Sequence, residues 1–120
     1  MKKILFLIFL IFFNTTQAQE FKTAYFAGGC FWCMEESFEK VKGVLSVISG
    51  YSGGKTKNPT YKEVTYGDTG HFETIEVKYD PKKTNFKKLL DIFWLILTHL
   101  MQMGNFVIKA IAIDRLFFMI

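Results

Sequence analysis

Hydrophobic residues recur with two different periods between residues 22 and 94. Spacings of three and four indicate helices, whereas alternation or short apolar runs bounded by glycine or proline indicate strands. The pattern predicts strands at 22–27, 44–51 and 71–79, a helix from Phe31 that ends at Gly43, a short helix capped by Thr60, and a helix that starts at Asn85. This order of elements predicts an α+β domain in which helices are layered on a mixed or antiparallel sheet.

The last predicted helix is the one that starts at Asn85. Its apolar residues predict a core face formed by Phe86, Leu89, Leu90, Phe93 and Trp94. The strand at 71–79 alternates, with one face beginning at Phe72 and the other at Glu73.

Residues 1–18 have the layout of a secretory signal peptide. Lys2 and Lys3 precede an apolar run from Ile4 to Phe13, and a polar exit ends at Ala18. We expect cleavage after Ala18 and a periplasmic or extracellular protein. A membrane anchor is the alternative, but this run is shorter than the roughly 20 residues that span a bilayer.

The charge balance argues against nucleic acid as a partner. Without Lys2 and Lys3 the chain keeps 13 of its 15 Lys and Arg residues, against 11 Asp and Glu. This small excess of positive charge comes without a basic stripe interleaved with aromatic residues.

The two cysteines, Cys30 and Cys33, are three residues apart in an exported chain. Such a pair closes too short a loop to stabilise a fold and is typical of redox chemistry or of half a metal site. A zinc site would need further ligands, and the sequence has no second C-x-x-C and no cluster of histidines. We therefore expect no metal and no cofactor.

Cys30 follows Gly28 and Gly29 and stands where the predicted helix begins. Free N–H groups and the positive end of the helix dipole favour an anion there, so we expect a reactive thiolate. Phe31 and Trp32 point in directions about 100° apart on a helix, and at least one of them can form an apolar wall beside the sulfur. The alternative is a small buried cysteine under a turn.

Four motifs occur in order between residues 23 and 94: G-G-C-F-W-C, G-Y-S-G-G, N-P-T-Y-K-E-V and G-D-T-G-H-F-E. Together they resemble the peptide methionine sulfoxide reductases of the A type, which act on the S epimer. The resemblance implies an α/β sandwich around a ferredoxin-like core. It also implies thiol-dependent reduction of methionine sulfoxide, free or in proteins, with an external thioredoxin-like dithiol. The alternatives are a general thiol–disulfide oxidoreductase that uses Cys30 and Cys33, and an inactive remnant. We expect a monomer.

The resemblance assigns roles to five residues. Cys30 matches the nucleophile, and Phe31 with Trp32 matches the pocket for the substrate's ε-methyl group. Glu73 matches the glutamate that donates a proton to the sulfoxide oxygen, and Tyr61 matches a tyrosine that hydrogen-bonds the same oxygen. Independently, attack on a sulfoxide requires protonation of its oxygen, which a carboxylic acid in a partly apolar pocket can supply.

Cys33 is the second thiol that can resolve a sulfenic acid at Cys30, since an offset of three places both on one helix face. For the other polar residues the pattern leaves structural alternatives open. Glu73 alone is equally compatible with a salt-bridged strand residue, and Tyr61 with a core aromatic residue. We interpret His71 as structural, and Glu35 with its neighbour Glu36 as a solvated helix face.

The resemblance covers an incomplete domain, residues 19–95, and residues 96–120 form a hydrophobic tail unlike the family. Codons for the tail, read with one extra A in front, can encode N-I-D-P-F-D-A-N-G-Q-F-C-D-K-G-Y-S-Y-R-S, which is typical of the family. We therefore hypothesise a one-base deletion near codon 96, in the gene or in its sequencing.

The tail lacks residues that the family uses. Thr98 stands where the family has a pocket aspartate, and a tyrosine and a further cysteine of the family's segment are missing. The C-terminal part of the fold is therefore expected to be disrupted. A membrane-associating helix is the alternative, although Lys109, Asp114 and Arg115 argue against a spanning segment.

Overall fold

A computed structural model describes residues 19–102, 111–113 and 118–119, with side chains for 19–102. The predicted signal peptide and most of the tail after Gln102 lie outside the described residues. The elements, in chain order, are β1 (Lys22–Ala27), α1 (Phe31–Glu39), β2 (Val44–Ser52), α2 (Tyr61–Tyr66), β3 (Phe72–Tyr79), α3 (Phe86–Gln102), β4 (Ile111–Ile113) and β5 (Phe118–Met119).

The five strands form one sheet in the order β4-β1-β3-β2-β5, and every pair in it is antiparallel. The central strand β3 pairs with β1 through Ala27 and Thr74, and with β2 through Tyr51 and Glu73. The predicted α+β class with an antiparallel sheet is confirmed. This register brings the end of β1, which leads into Cys30, to the same end of the sheet as Glu73.

Aromatic rings join the helices to the sheet. The Phe26 ring on β1 lies 5.0 Å from that of Phe38 on α1, 5.1 Å from that of Phe93 and 6.0 Å from that of Phe86. Buried residues of α1 recur at Phe31, Met34 and Phe38, the spacing of one helix face. The helix that carries Cys30 is therefore fixed by the core along its length.

Helix α3 buries Leu89, Phe93 and Leu97 at successive spacings of four. Trp94 was predicted on this face, but its side chain is 54% exposed. It lies about 100° around the helix from Phe93, and the buried stripe runs through Phe93 instead. The helix continues through Ile96 to Gln102, so the described start of the tail is a continuation of α3.

The two glycines before Cys30 serve different needs. A Cβ on Gly28 would lie 2.8 Å from a Leu97 methyl and 2.8 Å from the Phe93 ring, so only glycine lets this turn approach α3. Gly29 has a φ of 95°, which side-chain-bearing residues rarely adopt. The turn between β1 and α1 is thereby held close to the core.

The short helix α2 begins as the sequence predicts. The Thr60 hydroxyl accepts the Glu63 backbone N–H, and the Glu63 carboxylate accepts the Thr60 backbone N–H. This reciprocal capping box fixes the orientation of Tyr61, the first helical residue. None of the described helices is both long enough and apolar enough to cross a bilayer.

Candidate active site

Cys30 occupies the N-cap position of α1, with an extended backbone and no hydrogen bond from its side chain to the helix. Its carbonyl accepts the Met34 N–H at 3.3 Å, which begins the helix. The sulfur is therefore not engaged in capping and lies at the positive end of the helix dipole, as predicted.

The second thiol lies in contact with the first. Cys33 is exposed, and its S–H donates to the sulfur of Cys30 at 2.8 Å, too long a separation for a disulfide bond. This hydrogen bond, together with burial and negative charge on Cys30 and Glu36, raises the pKa of Cys33 to about 11. Cys33 therefore keeps its proton at neutral pH.

An open pocket of about 580 Å³ lies beside Cys30. Turn, helix and strand residues contribute to its wall: Gly28, Gly29, Cys30, Phe31, Trp32, Tyr61, Val64, Thr65, His71, Phe72 and Glu73. The pocket thus brings together Cys30 and the four other residues to which the resemblance assigned roles.

Three aromatic rings form one wall of this pocket. The rings of Trp32 and Tyr61 stack 5.9 Å apart with an interplanar angle of 8°, and the Phe31 ring lies 5.6 Å from Trp32 and 6.3 Å from Tyr61. Phe31 is buried, whereas Trp32 is 64% exposed. As the helical geometry predicts, the two side chains differ in direction, yet both line the pocket.

Glu73 is tied to the helix that carries the sulfur. Its Oε2 accepts the backbone N–H of Phe31 at 3.1 Å, and its side chain is half-buried. In the described part of the chain, no salt bridge involves Glu73. The carboxyl group therefore satisfies one of the free N–H groups of the first helical turn and also lines the pocket.

Tyr51 is a site residue that the sequence reasoning missed. It is the cross-strand partner of Glu73, and its ring lies 5.8 Å from that of Phe31. Burial, followed by the negative charge of Glu73, raises the pKa of Tyr51. Its position in the motif G-Y-S-G-G could have marked Tyr51 as a candidate site residue. The pairing with Glu73 becomes visible only in the register of the strands.

His71 is structural, as predicted. Its Nδ1 accepts the Gly54 N–H at 3.1 Å, so the proton is on Nε2, which donates to the Thr56 carbonyl at 2.9 Å. Glu35 was predicted to be solvated, and this prediction is wrong. Its carboxylate accepts a hydrogen bond from the Ser49 hydroxyl of β2. Glu36 is solvated and pairs with Lys40.

Thr98 lies outside the pocket, and its hydroxyl donates to the Trp94 carbonyl within α3. Among residues 19–102, no group of three or more His, Cys, Asp or Glu side chains could hold a metal ion.

The sequence model described as peptide methionine sulfoxide reductase matches residues 22–107, most of the chain and the whole of the pocket. This chain belongs to that family, and to its A type. The match continues beyond residue 95, where the motifs of the resemblance end.

Individual relatives of this family are about half identical to the chain. Peptide methionine sulfoxide reductase MsrA of Vesicomyosocius okutanii is 49% identical over 86 residues, which are 70% of this chain and 53% of that protein. MsrA of Erwinia tasmaniensis is 59% identical over 69 residues, 58% of this chain and 39% of that protein. The chain thus spans about half, or less, of the curated relatives it matches.

A solved structure agrees with this assignment. Methionine sulfoxide reductase A of Corynebacterium diphtheriae superposes with a TM-score of 0.57 at 40% identity. The superposition covers 62% of this chain and 35% of that one. The α+β fold of the family is therefore present in the described residues.

Proposed function

We propose that this protein reduces methionine-S-sulfoxide, free or in proteins, to methionine with Cys30 as the nucleophile. One observation carries the proposal. A single pocket holds a thiol at a helix N-terminus, a carboxyl group free of salt bridges and an aromatic wall, in a chain of the methionine sulfoxide reductase family.

In the first step the Cys30 thiolate takes the sulfoxide oxygen. The S–O bond of the substrate breaks, methionine leaves, and Cys30 becomes a sulfenic acid. The oxygen must be protonated as it leaves the substrate sulfur, since an oxide ion is too basic to depart. Phe31 and Trp32 provide apolar surface for the substrate's methyl group, and sulfur contacts aromatic rings favourably.

Glu73 is suited to supply that proton. Because the Phe31 N–H donates to Oε2, that oxygen acts as the acceptor, and a proton on the carboxyl group resides on Oε1. Tyr61 lines the same pocket and is 45% exposed, so its hydroxyl can donate to the sulfoxide oxygen. Glu73 and Tyr61 together bind and protonate the leaving oxygen.

In the second step the Cys33 thiol attacks the sulfenic acid of Cys30, which forms a disulfide and releases water. The 2.8 Å separation of the sulfurs supports this step, since little movement brings them to bonding distance. An external dithiol of the thioredoxin class then reduces the disulfide and is itself oxidised. We also propose that residues 1–18 direct export, so that the reductant is a periplasmic or extracellular one.

The test is turnover of a methionine-S-sulfoxide peptide with dithiothreitol. The unchanged chain should produce methionine, and Cys30→Ser should abolish production without unfolding the domain. The R epimer of the peptide serves as the control and should not react. Equal activity in Cys30→Ser, or none in the unchanged folded chain, would contradict the proposal.

General thiol–disulfide exchange is the second candidate, favoured by the contact between Cys30 and Cys33. The same chain can be assayed for reduction of insulin disulfides. Disulfide exchange without sulfoxide reduction would favour this second function, and Glu73→Gln should leave it unaffected because no oxygen has to be protonated.

A further inference from the structure

Helix α2 forms part of the pocket wall without being anchored in the core. Tyr61, Val64 and Thr65 of this helix line the pocket, yet none of the residues of α2 is buried. By contrast, α1 and β3, which also contribute to the wall, each have buried residues. The position of Tyr61 in the pocket therefore depends on contacts at the start of α2 and on the contacts of its own ring.

A helix as short as α2, with six residues, depends on its cap. Isolated helices shorter than about 12 residues are marginal in water, because the first turn fixes several residues for one hydrogen bond. The Glu63 Oε2 accepts the Thr60 backbone N–H at 2.7 Å and the Thr60 hydroxyl at 2.8 Å, and the hydroxyl oxygen accepts the Glu63 N–H at 3.3 Å. These hydrogen bonds close the first turn around Tyr61, which lies between the two capping residues.

Thr60 and Glu63 are exposed, and neither of them lines the pocket. The hydrogen bonds from Thr60 lower the pKa of Glu63, so its carboxyl group is ionised at neutral pH and acts as an acceptor. The Tyr61 ring stacks on Trp32 at 5.9 Å. The closed turn thus fixes the backbone of Tyr61, and the stack fixes its ring.

We propose that Thr60 and Glu63 are positioning residues, which hold the Tyr61 hydroxyl where it donates to the sulfoxide oxygen. The inference rests on the proposed function, because that donation is part of its first step. Without the capping box, the first turn of α2 opens for part of the time, and Tyr61 leaves the Trp32 ring with it. Glu73 then has to protonate the oxygen without a hydrogen bond from Tyr61, and reduction is slower.

The first experiment measures reduction of a methionine-S-sulfoxide peptide with dithiothreitol. Thr60→Ala should lower kcat/KM about fivefold, the effect expected for a lost N-cap, and Thr60→Ser should keep the full rate because it keeps the hydroxyl. Lys62→Ala is the matched control and should change nothing, because Lys62 is exposed on the same helix and lies outside the pocket. No loss in Thr60→Ala, or an equal loss in Lys62→Ala, would overturn the inference.

The second experiment asks whether the loss passes through the Tyr61 hydroxyl. Tyr61→Phe removes the hydroxyl and keeps the ring. When Thr60→Ala is added to Tyr61→Phe, kcat/KM should fall by less than about twofold, because no hydroxyl is left to position. A further loss of about fivefold would overturn the inference, since Thr60 would then act on the reaction independently of that hydroxyl.

The third experiment does not depend on sulfoxide reduction. The chain has two tryptophans, Trp32 and Trp94, and Tyr61→Ala identifies the indole N–H signal of Trp32 in the NMR spectrum by removing the stacked ring. In Thr60→Ala this signal should move part of the way towards its position in Tyr61→Ala. An unmoved signal would overturn the inference even if the peptide is reduced. A moved signal in a chain that reduces no sulfoxide would contradict the proposed function and support the positioning of Tyr61 by Thr60.

Discussion

At the scale of single residues, the site depends on the hydrogen bond between Glu73 and the Phe31 N–H. That bond makes Glu73 both a partner of the helix that carries Cys30 and a candidate proton donor. The motif containing Glu73 was recognisable in the sequence, but its acceptor role at the helix start was not. The cross-strand pairing of Glu73 with Tyr51 could not be predicted from the sequence either, because the register is fixed by the folded sheet and not by either segment alone.

Substitutions at Glu73 separate these two roles. Glu73→Gln keeps an oxygen that can accept the Phe31 N–H but lacks an acidic proton, so sulfoxide reduction should fall at least tenfold with stability nearly unchanged. Glu73→Ala should lose the same activity and also about 1 kcal/mol of unfolding free energy, because the N–H loses its partner. Peptide turnover and urea unfolding measure the two effects, and full activity in Glu73→Gln would contradict the acid role.

The Cys33 thiol should titrate abnormally. Its hydrogen bond to Cys30 is the largest cause of its pKa of about 11, so Cys30→Ala should move that pKa down towards the ordinary value of 9.0. Since the folded pKa is raised, the contact stabilises the protein fully below about pH 9 and is lost as pH rises through 11. NMR titration of ¹³Cβ-labelled cysteine measures both proteins, and an unchanged midpoint in Cys30→Ala would contradict the coupling.

At the scale of elements, the sequence pattern located β1, β2, α2 and β3 closely, since each has a clear period and a glycine, proline or capping residue at its end. Helix α1 begins at Phe31 as predicted, but it ends at Glu39 and not at Gly43.

The prediction was less complete for α3. Leu97 continues the spacing of four from Leu89 and Phe93, but the predicted core face stopped at Trp94 because the resemblance ends at residue 95. In the structure, Phe93 and Leu97 pack against the turn before Cys30. Gly28 makes that packing possible, because a Cβ there would overlap Leu97 and Phe93.

Gly28→Ala tests this packing. The added methyl should destabilise the domain by about 1–3 kcal/mol, because it meets side chains that cannot move freely in a packed core. In Gly28→Ala/Leu97→Ala, part of the overlap is removed, so the combined loss should be smaller than the sum of the single losses. Urea unfolding of the unchanged chain, the two single variants and the double variant gives the coupling free energy between the two positions. Strictly additive losses would show that residues 28 and 97 are not in steric contact.

At the scale of the whole molecule, the pocket is built from residues 28–32, 61–65 and 71–73, and nothing described after β3 contributes to it. The chain spans about half, or less, of its curated relatives. Under the frame hypothesis, the family-like segment encoded by the shifted frame would place aspartate at position 98 and proline at position 99. That proline would end α3 early, whereas in this chain α3 continues to Gln102.

A frame-restored chain tests this hypothesis. With N-I-D-P and the residues that follow it from position 96, sulfoxide reduction should rise at least tenfold, because an aspartate would replace Thr98 at the position where the resemblance implies a pocket aspartate. The melting temperature should rise as well, as more of the sheet is covered. Equal activity and stability in the two chains would contradict the account, and genomic resequencing checks the base count directly.

The most direct test of the central claim is a single turnover by Cys33→Ser. The reduced variant is mixed with a methionine-S-sulfoxide peptide and dimedone, without an external thiol. The account predicts one methionine per chain and a dimedone adduct on Cys30, since no thiol remains to resolve the sulfenic acid. Methionine without an adduct on Cys30, or no methionine from a folded variant, would contradict it.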